Sequence, residues 1–222
     1  MKLIEKLQNN NINCKLIKWI AAFLQDRKMT VKVKLDFSDW VTVLSGVPQG
    51  SVLGPLLFLI FVNDLPTWIR NSMVLLFADD TKVSCKVLND SDCSLLQQDL
   101  DLLMEWAKYW HLDFNTDKCK VMRIGHRHLT EYTLNGNKLQ EADDENDLGI
   151  TVTNDLKPSV QCAKAAAKAM QVLGIIKSNF VLTDGDFQLL FNGFVHPHLE
   201  YCVSCLVALL KKGYGLFGES SV

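Results

Sequence analysis

The sequence predicts an α+β fold, short antiparallel strands packed with helices, on three observations. Apolar and polar residues alternate through "MTVKVKLDFSDWVTVL", which is the period of a half-buried strand. An Asn-Gly pair inside "YTLNGNKLQ" marks a two-residue hairpin turn. Residues 91–110 and 158–179 instead space their apolar side chains as helices do. Strands grouped around a buried helix, followed by a mostly helical end, define the α+β class.

Composition narrows the function classes. With 48% hydrophobic and 22% charged residues, the 222-residue chain has ordinary globular composition and can bury a real core. Its net charge of −2 argues against a surface that simply coats nucleic acid. The charge is unevenly spread, however. Residues 1–60 carry eight Lys/Arg against four Asp/Glu, and residues 61–120 carry six against ten. A basic segment beside an acidic one suits a protein that holds phosphates with one part and metal ions with another. The apolar run from Leu56 to Val62 falls short of the ~20 residues that span a bilayer, so no membrane partner is expected. "MKLIEKLQNN" lacks the apolar core of a signal peptide. Seven irregularly spaced cysteines point to a reducing compartment, nucleus or cytoplasm, rather than to secretion.

In chain order, residues 2–9 and 14–24 read as helices divided by the "NNNIN" turn, with Ile17, Ile20, Ala21 and Leu24 at helical spacing. The alternating stretch follows as a hairpin turning at "DFSD", with Val31, Val33 and Leu35 on one face and Lys32 and Lys34 on a basic one. "SGVPQGSVLGPLLFLIFVNDLP" reads as a glycine-rich loop entering a buried helix over 52–65, with Ser51 as N-cap, Pro55 in the first turn and Pro66 as the stop. "LLFADDTKV" reads as buried strand, tip and strand. The helix near 91–110 should turn Leu95, Leu96, Leu102, Leu103 and Trp106 inward. "LDFNTDKCKVMRIG" is a turn and strand, and "DLGITV" is one more strand. The helix over 158–179 should bury Val160, Ala163, Ala167, Met170 and Leu173, leaving Lys164 and Lys168 near the other side. A last helical region runs from about 184 toward 210.

Four constellations carry chemistry. Asp79 and Asp80 put two carboxylates side by side at a hairpin tip. They are either an acidic turn or the hard oxygen ligands that a divalent ion requires. In "SGVPQGS", Gly46 and Gly50 allow close backbone approach to a nucleotide and Gln49 offers both donor and acceptor, although such a loop can also merely start a helix. Lys118, in a turn before a strand, is either solvated or placed to donate a proton to a leaving pyrophosphate. Finally, His126-x-His128, His196-x-His198 and Cys202-x-x-Cys205 contain zinc-type ligands, but the two His pairs lie far apart in sequence.

"SGVPQGSVLGPLLFLIFVNDLP", "LLFADDTKV", "LDFNTDKCKVMRIG" and "DLGITVTNDLKPSVQCAKAAAKAMQVLGIIKSNF", in this order, resemble the reverse transcriptase of non-LTR, jockey-like retrotransposons. The resemblance extends from about residue 2 to about 203. It implies a right-hand polymerase palm over 1–152, a thumb-like helical region over 153–205 and a divergent tail over 206–222. Gly46, Pro48, Gln49 and Gly50 match the family's nucleotide- and template-positioning motif. Phe77 to Asp80 match its metal-binding hairpin, and Asn115 to Lys118 its following motif. The helix at 159–177 matches its thumb. Implied with these are weakly held Mg²⁺ or Mn²⁺ on Asp79 and Asp80, an RNA template, a DNA primer and dNTP, with no other small-molecule cofactor. In that family a further metal-binding Asp and the fingers precede the position of Met1. The resemblance therefore implies a palm-and-thumb fragment that is inactive alone. The alternative is a non-catalytic nucleic-acid-binding relic or domesticated module acting through Lys32, Lys34, Lys164 and Lys168.

Overall fold

The computed structural model describes residues 2–125, 130–181 and 183–203. They are mixed helix and short strand, as an α+β chain requires. They fall into two compact units: one runs to Thr116 and adds Tyr132–Asn137, the other is Asp117–Glu131 with the chain from Lys138 onward.

Helices α1 (Lys2–Asn9) and α2 (Cys14–Leu24) open the first unit at the predicted bounds. Asn13 Oδ1 starts α2 by accepting from the Lys15 N–H at 2.9 Å. Leu3, Leu7, Ile17, Ile20 and Leu24 form one core with Leu57 of α3 (Leu53–Val62). That helix is not buried all round over 52–65, as its sequence suggested. Only one face meets the core, so Leu56 and Leu59 are 53% and 51% exposed, and Pro66 lies in a separate 3-10 turn, Leu65–Thr67.

Between α2 and α3 the alternating stretch folds as two short antiparallel ladders. β1 (Lys28–Met29) pairs with β4 (Val41–Thr42), and β2 (Lys32–Val33) with β3 (Asp36–Phe37). The turn is Lys34–Leu35, not "DFSD". Ser38 explains the difference: its backbone N–H donates to Val31 O and its Oγ accepts from the Val31 N–H, both at 2.9 Å. Those bonds commit "DFSD" to the ladder and its interruption. Lys34 takes a left-handed φ of 56°, which removes it from a basic strand face shared with Lys32. The expected apolar face is uncovered too, with Leu35 88% exposed.

Helix α4 (Asp90–Trp110) begins with a capping box: Asn89 Oδ1 accepts from the Asp92 N–H at 3.0 Å, and Asp92 Oδ2 from the Asn89 N–H at 3.2 Å. Leu103 and Trp106 face inward as expected, but Leu95 is exposed and Leu96 and Leu102 are half-buried. The buried stripe is instead Cys93, Asp99, Leu100, Leu103, Trp106, Ala107 and Trp110. Two polar anchors set it. Asp99 is drawn in by the chain at Arg70 and Asn71, and Trp106 Nε1 donates to Asp64 Oδ1 at 3.0 Å. Lys6, only 3% exposed, donates to the same Oδ1 at 2.5 Å and to the Phe61 carbonyl. Its Nζ also stands 3.9 Å from the ring centre of Trp110 and 4.8 Å from that of Trp106. Burial lowers the Lys6 pKa, and the Asp64 carboxylate opposes that shift. A charge this deep is tolerated because it is paired and hydrogen-bonded.

In the second unit β7 (Lys120–Val121) pairs in parallel with β10 (Gln140–Glu141). The Asn-Gly turn, in the Tyr132–Asn137 segment that belongs to the first unit, forms as predicted between β8 (Thr133–Leu134) and β9 (Asn137–Lys138), with φ of 53° at Asn135 and 75° at Gly136. "DLGITV" is not one strand. Leu148 and Gly149 take φ of 50° and 83° and form a turn between β11 (Asp144–Asp147) and β12 (Ile150–Thr153).

Helix α5 (Ser159–Asn179) has the predicted length but a different inner face. Gln161, Ala169 and Ile176 are buried, whereas Met170 is 66% exposed, Val160, Ala163 and Ala167 also face outward, and Leu173 is half-buried. The cause is polar: Gln161 Oε1 accepts from the Thr151 N–H at 2.8 Å and Lys164 Nζ donates to Thr151 Oγ1 at 3.0 Å, which fixes the helix's rotation. Ala169 and Ile176 then pack with Val195. The last helical region is α6 (Asp184–Leu190), a π-helical turn (Phe191–Val195) and α7 (His196–Glu200); residues from 204, including the expected tail, lie outside the described ones.

Candidate functional site

The loop preceding α3 has no regular secondary structure, yet it is held at several points. Gly46 and Gly50 take φ of 78° and 79°, a conformation that side-chain-bearing residues rarely adopt. Val47 packs against the core of α1, α2 and α3. Arg27, just after α2, donates from its guanidinium to Leu24 O at 2.9 Å and to Gly46 O at 2.5 Å, tying the loop to the helix end. Ser51 Oγ donates to Pro48 O at 2.7 Å and accepts from the Gly54 N–H at 3.0 Å; the N-cap itself is Val52, one residue later than expected, so Ser51 ties the first turn from just outside the helix. A Cβ on Gly54 would stand 2.8 Å from Pro48 O; the loop folds over the first turn of α3 because glycine is there. Gln49 and Gly50 are left exposed at the loop's crest.

β5 (Met73–Phe77) and β6 (Asp80–Ser84) pair antiparallel in five rungs, from Met73↔Ser84 to Phe77↔Asp80. Ala78 and Asp79 make the turn, with φ of 51° at Ala78. Asp79 therefore sits in the turn itself and Asp80 on the first rung, both exposed. The strand is not buried as "LLF" suggested. β5 lies beside the 3-10 turn Leu65–Thr67, and that leaves Met73, Leu75 and Phe77 62%, 51% and 62% exposed.

Two adjacent carboxylates on a rigid ladder fit a Mg²⁺ or Mn²⁺ ion that keeps most of its water. Among the described residues, no group of three or more His, Cys, Asp or Glu gathers as a metal site. His126, His128 and Cys205 lie outside the described residues, and His196 Nε2 is 3.4 Å from Glu200 Oε1.

The predicted lysines stand apart from one another in role. Lys118 is exposed at the end of a 3-10 turn, Thr116–Lys118, in the second unit. Lys32 lies 5.0 Å from the Phe37 ring centre and Lys34 is at the tip of its hairpin. Lys164 Nζ is 3.8 Å from Asp144 Oδ2, besides its bond to Thr151. Lys168 Nζ donates to Gln171 Oε1 at 3.3 Å.

A model of the reverse transcriptase (RNA-dependent DNA polymerase) family matches residues 1–176. The chain belongs to that family. The RNA-directed DNA polymerase from mobile element jockey of Drosophila melanogaster is 32% identical to it over 147 residues, which are 62% of this chain and 16% of that protein. The jockey polymerase of Drosophila funebris is 33% identical over 154 residues, 64% of this chain and again 16% of its own length. The chain thus corresponds to a small part of these curated relatives, and the type is that of non-LTR retrotransposon reverse transcriptases. No solved structure matches it significantly. No helix among the described residues is long and apolar enough to cross a membrane.

Three residues of this reverse transcriptase segment that shape the loop escaped sequence reasoning: Arg27, Val47 and Gly54. Gly54 had a readable signal, a glycine beside a proline in a helix's first turn, where alanine would serve better unless space forbids it. Arg27 had none, because its acceptors are carbonyl groups that every sequence supplies.

Proposed function

We propose that the chain is the palm-and-thumb part of a template-directed nucleotidyl transferase, with the palm over 1–152 and the thumb over 153–205. The reading rests on one observation above the others: Asp79 and Asp80 are carried side by side, in solvent, on the closing turn of a five-rung ladder. Their carboxylates would hold a divalent ion, which would neutralise charge at the reacting phosphates. Gly46 and Gly50 keep the loop's backbone open to a nucleotide. Pro48 accepts from Ser51 and fixes the crest, and Gln49 presents a donor and an acceptor to a base or sugar. Lys118 would donate a proton to the leaving group. RNA template and DNA primer are the partners, and the nucleus or cytoplasm is the setting.

Two carboxylates alone leave a Mg²⁺ ion largely hydrated, and they cannot align a primer end with a nucleotide. The chain by itself therefore binds primed RNA without extending it. Primer extension on a primed RNA template with Mg²⁺ or Mn²⁺ tests this. The expected result is no extension, with salt-sensitive binding that Mn²⁺ strengthens and Asp79→Asn weakens. Extension abolished by Asp79→Asn would establish a complete enzyme instead. A second reading, non-catalytic nucleic-acid binding, is favoured by the exposed tip at Lys34 with Lys32 beside it. It predicts binding that Lys34→Glu weakens and Asp79→Asn leaves unchanged. Absence of binding would sink both.

A further inference from the structure

The hairpin that carries Asp79 and Asp80 has a complete backbone ladder but little side-chain cover, with alternate residues of β5 more than half exposed. A ladder fixes the two strands against each other; it does not fix the pair against the rest of the unit. Half-buried Val74 and Leu76 and the neighbouring Leu65–Thr67 turn cover one face of β5, and at the hairpin's base a buried carboxylate holds the chain that leads into it.

Asp99 lies in the middle of α4 and is 0% exposed. Its Oδ1 accepts from the Arg70 N–H and from Asn71 Nδ2, both at 3.1 Å, and its Oδ2 accepts from the Asn71 N–H at 3.0 Å. Both oxygens are engaged, so the plane of the carboxylate fixes the direction of the Arg70–Asn71 segment. Only Ser72 separates that segment from Met73, where β5 begins. The support is rigid in turn, since Leu103 and Trp106 of α4 are 4% and 0% exposed. A carboxylate is the one short side chain that can accept at both ends of this fork. An amide would turn an Nδ2 donor against a backbone N–H.

We infer that Asp99 is a positioning residue: its forked acceptance from Arg70 and Asn71 sets the orientation of the β5–β6 hairpin and so the placement of Asp79 and Asp80. The metal part of this statement rests on the function proposed above; the clamp itself does not. Its titration fits this setting: burial raises the pKa, and the Ser72 side chain together with the bonds from Arg70 and Asn71 more than offsets that, holding it below the ordinary range.

Amide-resolved hydrogen exchange on the full chain tests the clamp. Asp99→Asn raises exchange in the β5–β6 ladder by roughly tenfold or more over that in α1 and α2, as expected for lost bonds to a charged acceptor. Asn71→Ala removes one donor, leaves both backbone bonds and gives a smaller rise in the same place. Leu103→Ala, a cavity on the same helix, raises exchange through α4 without selecting the hairpin. A uniform rise in Asp99→Asn, like that of Leu103→Ala, overturns the inference. Should Asp99→Asn fail to fold, Asn71→Ala decides alone: a rise confined to the hairpin supports the clamp, and a uniform or absent one overturns it. Mn²⁺ broadening of the Asp79 and Asp80 amide signals in the unsubstituted chain separates the two readings. Selective loosening without broadening keeps the clamp and sinks the metal site; broadening with uniform exchange does the reverse.

Discussion

The Gly46–Ser51 loop and the Phe77–Asp80 tip are ordered by opposite means. The loop has no ladder, yet Val47 reaches the core, Arg27 binds its carbonyls and Gly54 lets it fold onto α3. The tip closes five rungs of backbone pairing, yet the side chains on its approach strand stand largely in water. Backbone hydrogen bonds exchange one partner for another and contribute little net stability, whereas apolar burial contributes in proportion to area. The irregular segment is thus the better anchored of the two, and the regular one depends on its base.

The residue whose loss should cost most lies under the loop. Leu57 is 1% exposed in the core that holds Val47, so Leu57→Ala should cost ~2–5 kcal/mol in urea unfolding. A cost no greater than that of Phe77→Ala would end the contrast. Next comes the hairpin's base, where Asp99→Asn should cost about 1.5–3 kcal/mol near neutral pH through lost charge-assisted bonds. The Asp99 carboxyl is held below its ordinary 3.8 in the fold, so its contribution is complete above that value. As pH falls below 3.8 through the folded value the contribution is lost, and melts of the two proteins should converge. Gly54→Ala should cost about 1–3 kcal/mol, because its Cβ would stand 2.8 Å from a backbone oxygen that cannot swing aside. Phe77→Ala, at a residue 62% exposed, should cost about 0.5 kcal/mol or less. Smallest of all, Asp80→Asn should leave the metal-free melting point unchanged and abolish only the rise that Mn²⁺ produces. A metal-free loss as large as that of Leu57→Ala would give the pair a structural role.

The local elements were legible in the residues alone. The bounds of α1 and α2, the Asn-Gly turn and a hairpin closing at the paired aspartates follow from spacing, caps and turn residues within a few positions of one another. The motif strings were enough for the family, and they marked the loop and the tip as its chemical segments. Turn placement was less local: "DFSD" has good turn residues, but Ser38 bonds across to Val31 and moves the turn to Lys34–Leu35. Which sides face inward depended instead on contacts between elements far apart in the chain. Lys6 reads as a solvated charge until Asp64, 58 residues on, and Trp110 surround it. Asp99 reads as polar surface until Arg70, 29 residues back, donates to it. The rotation of α5 likewise waits on Thr151 of another element. A periodicity shows that a helix has an apolar side, but a buried charge depends on partners brought from far along the chain. Pairing with those partners outweighs the preference of a lone charged side chain for water.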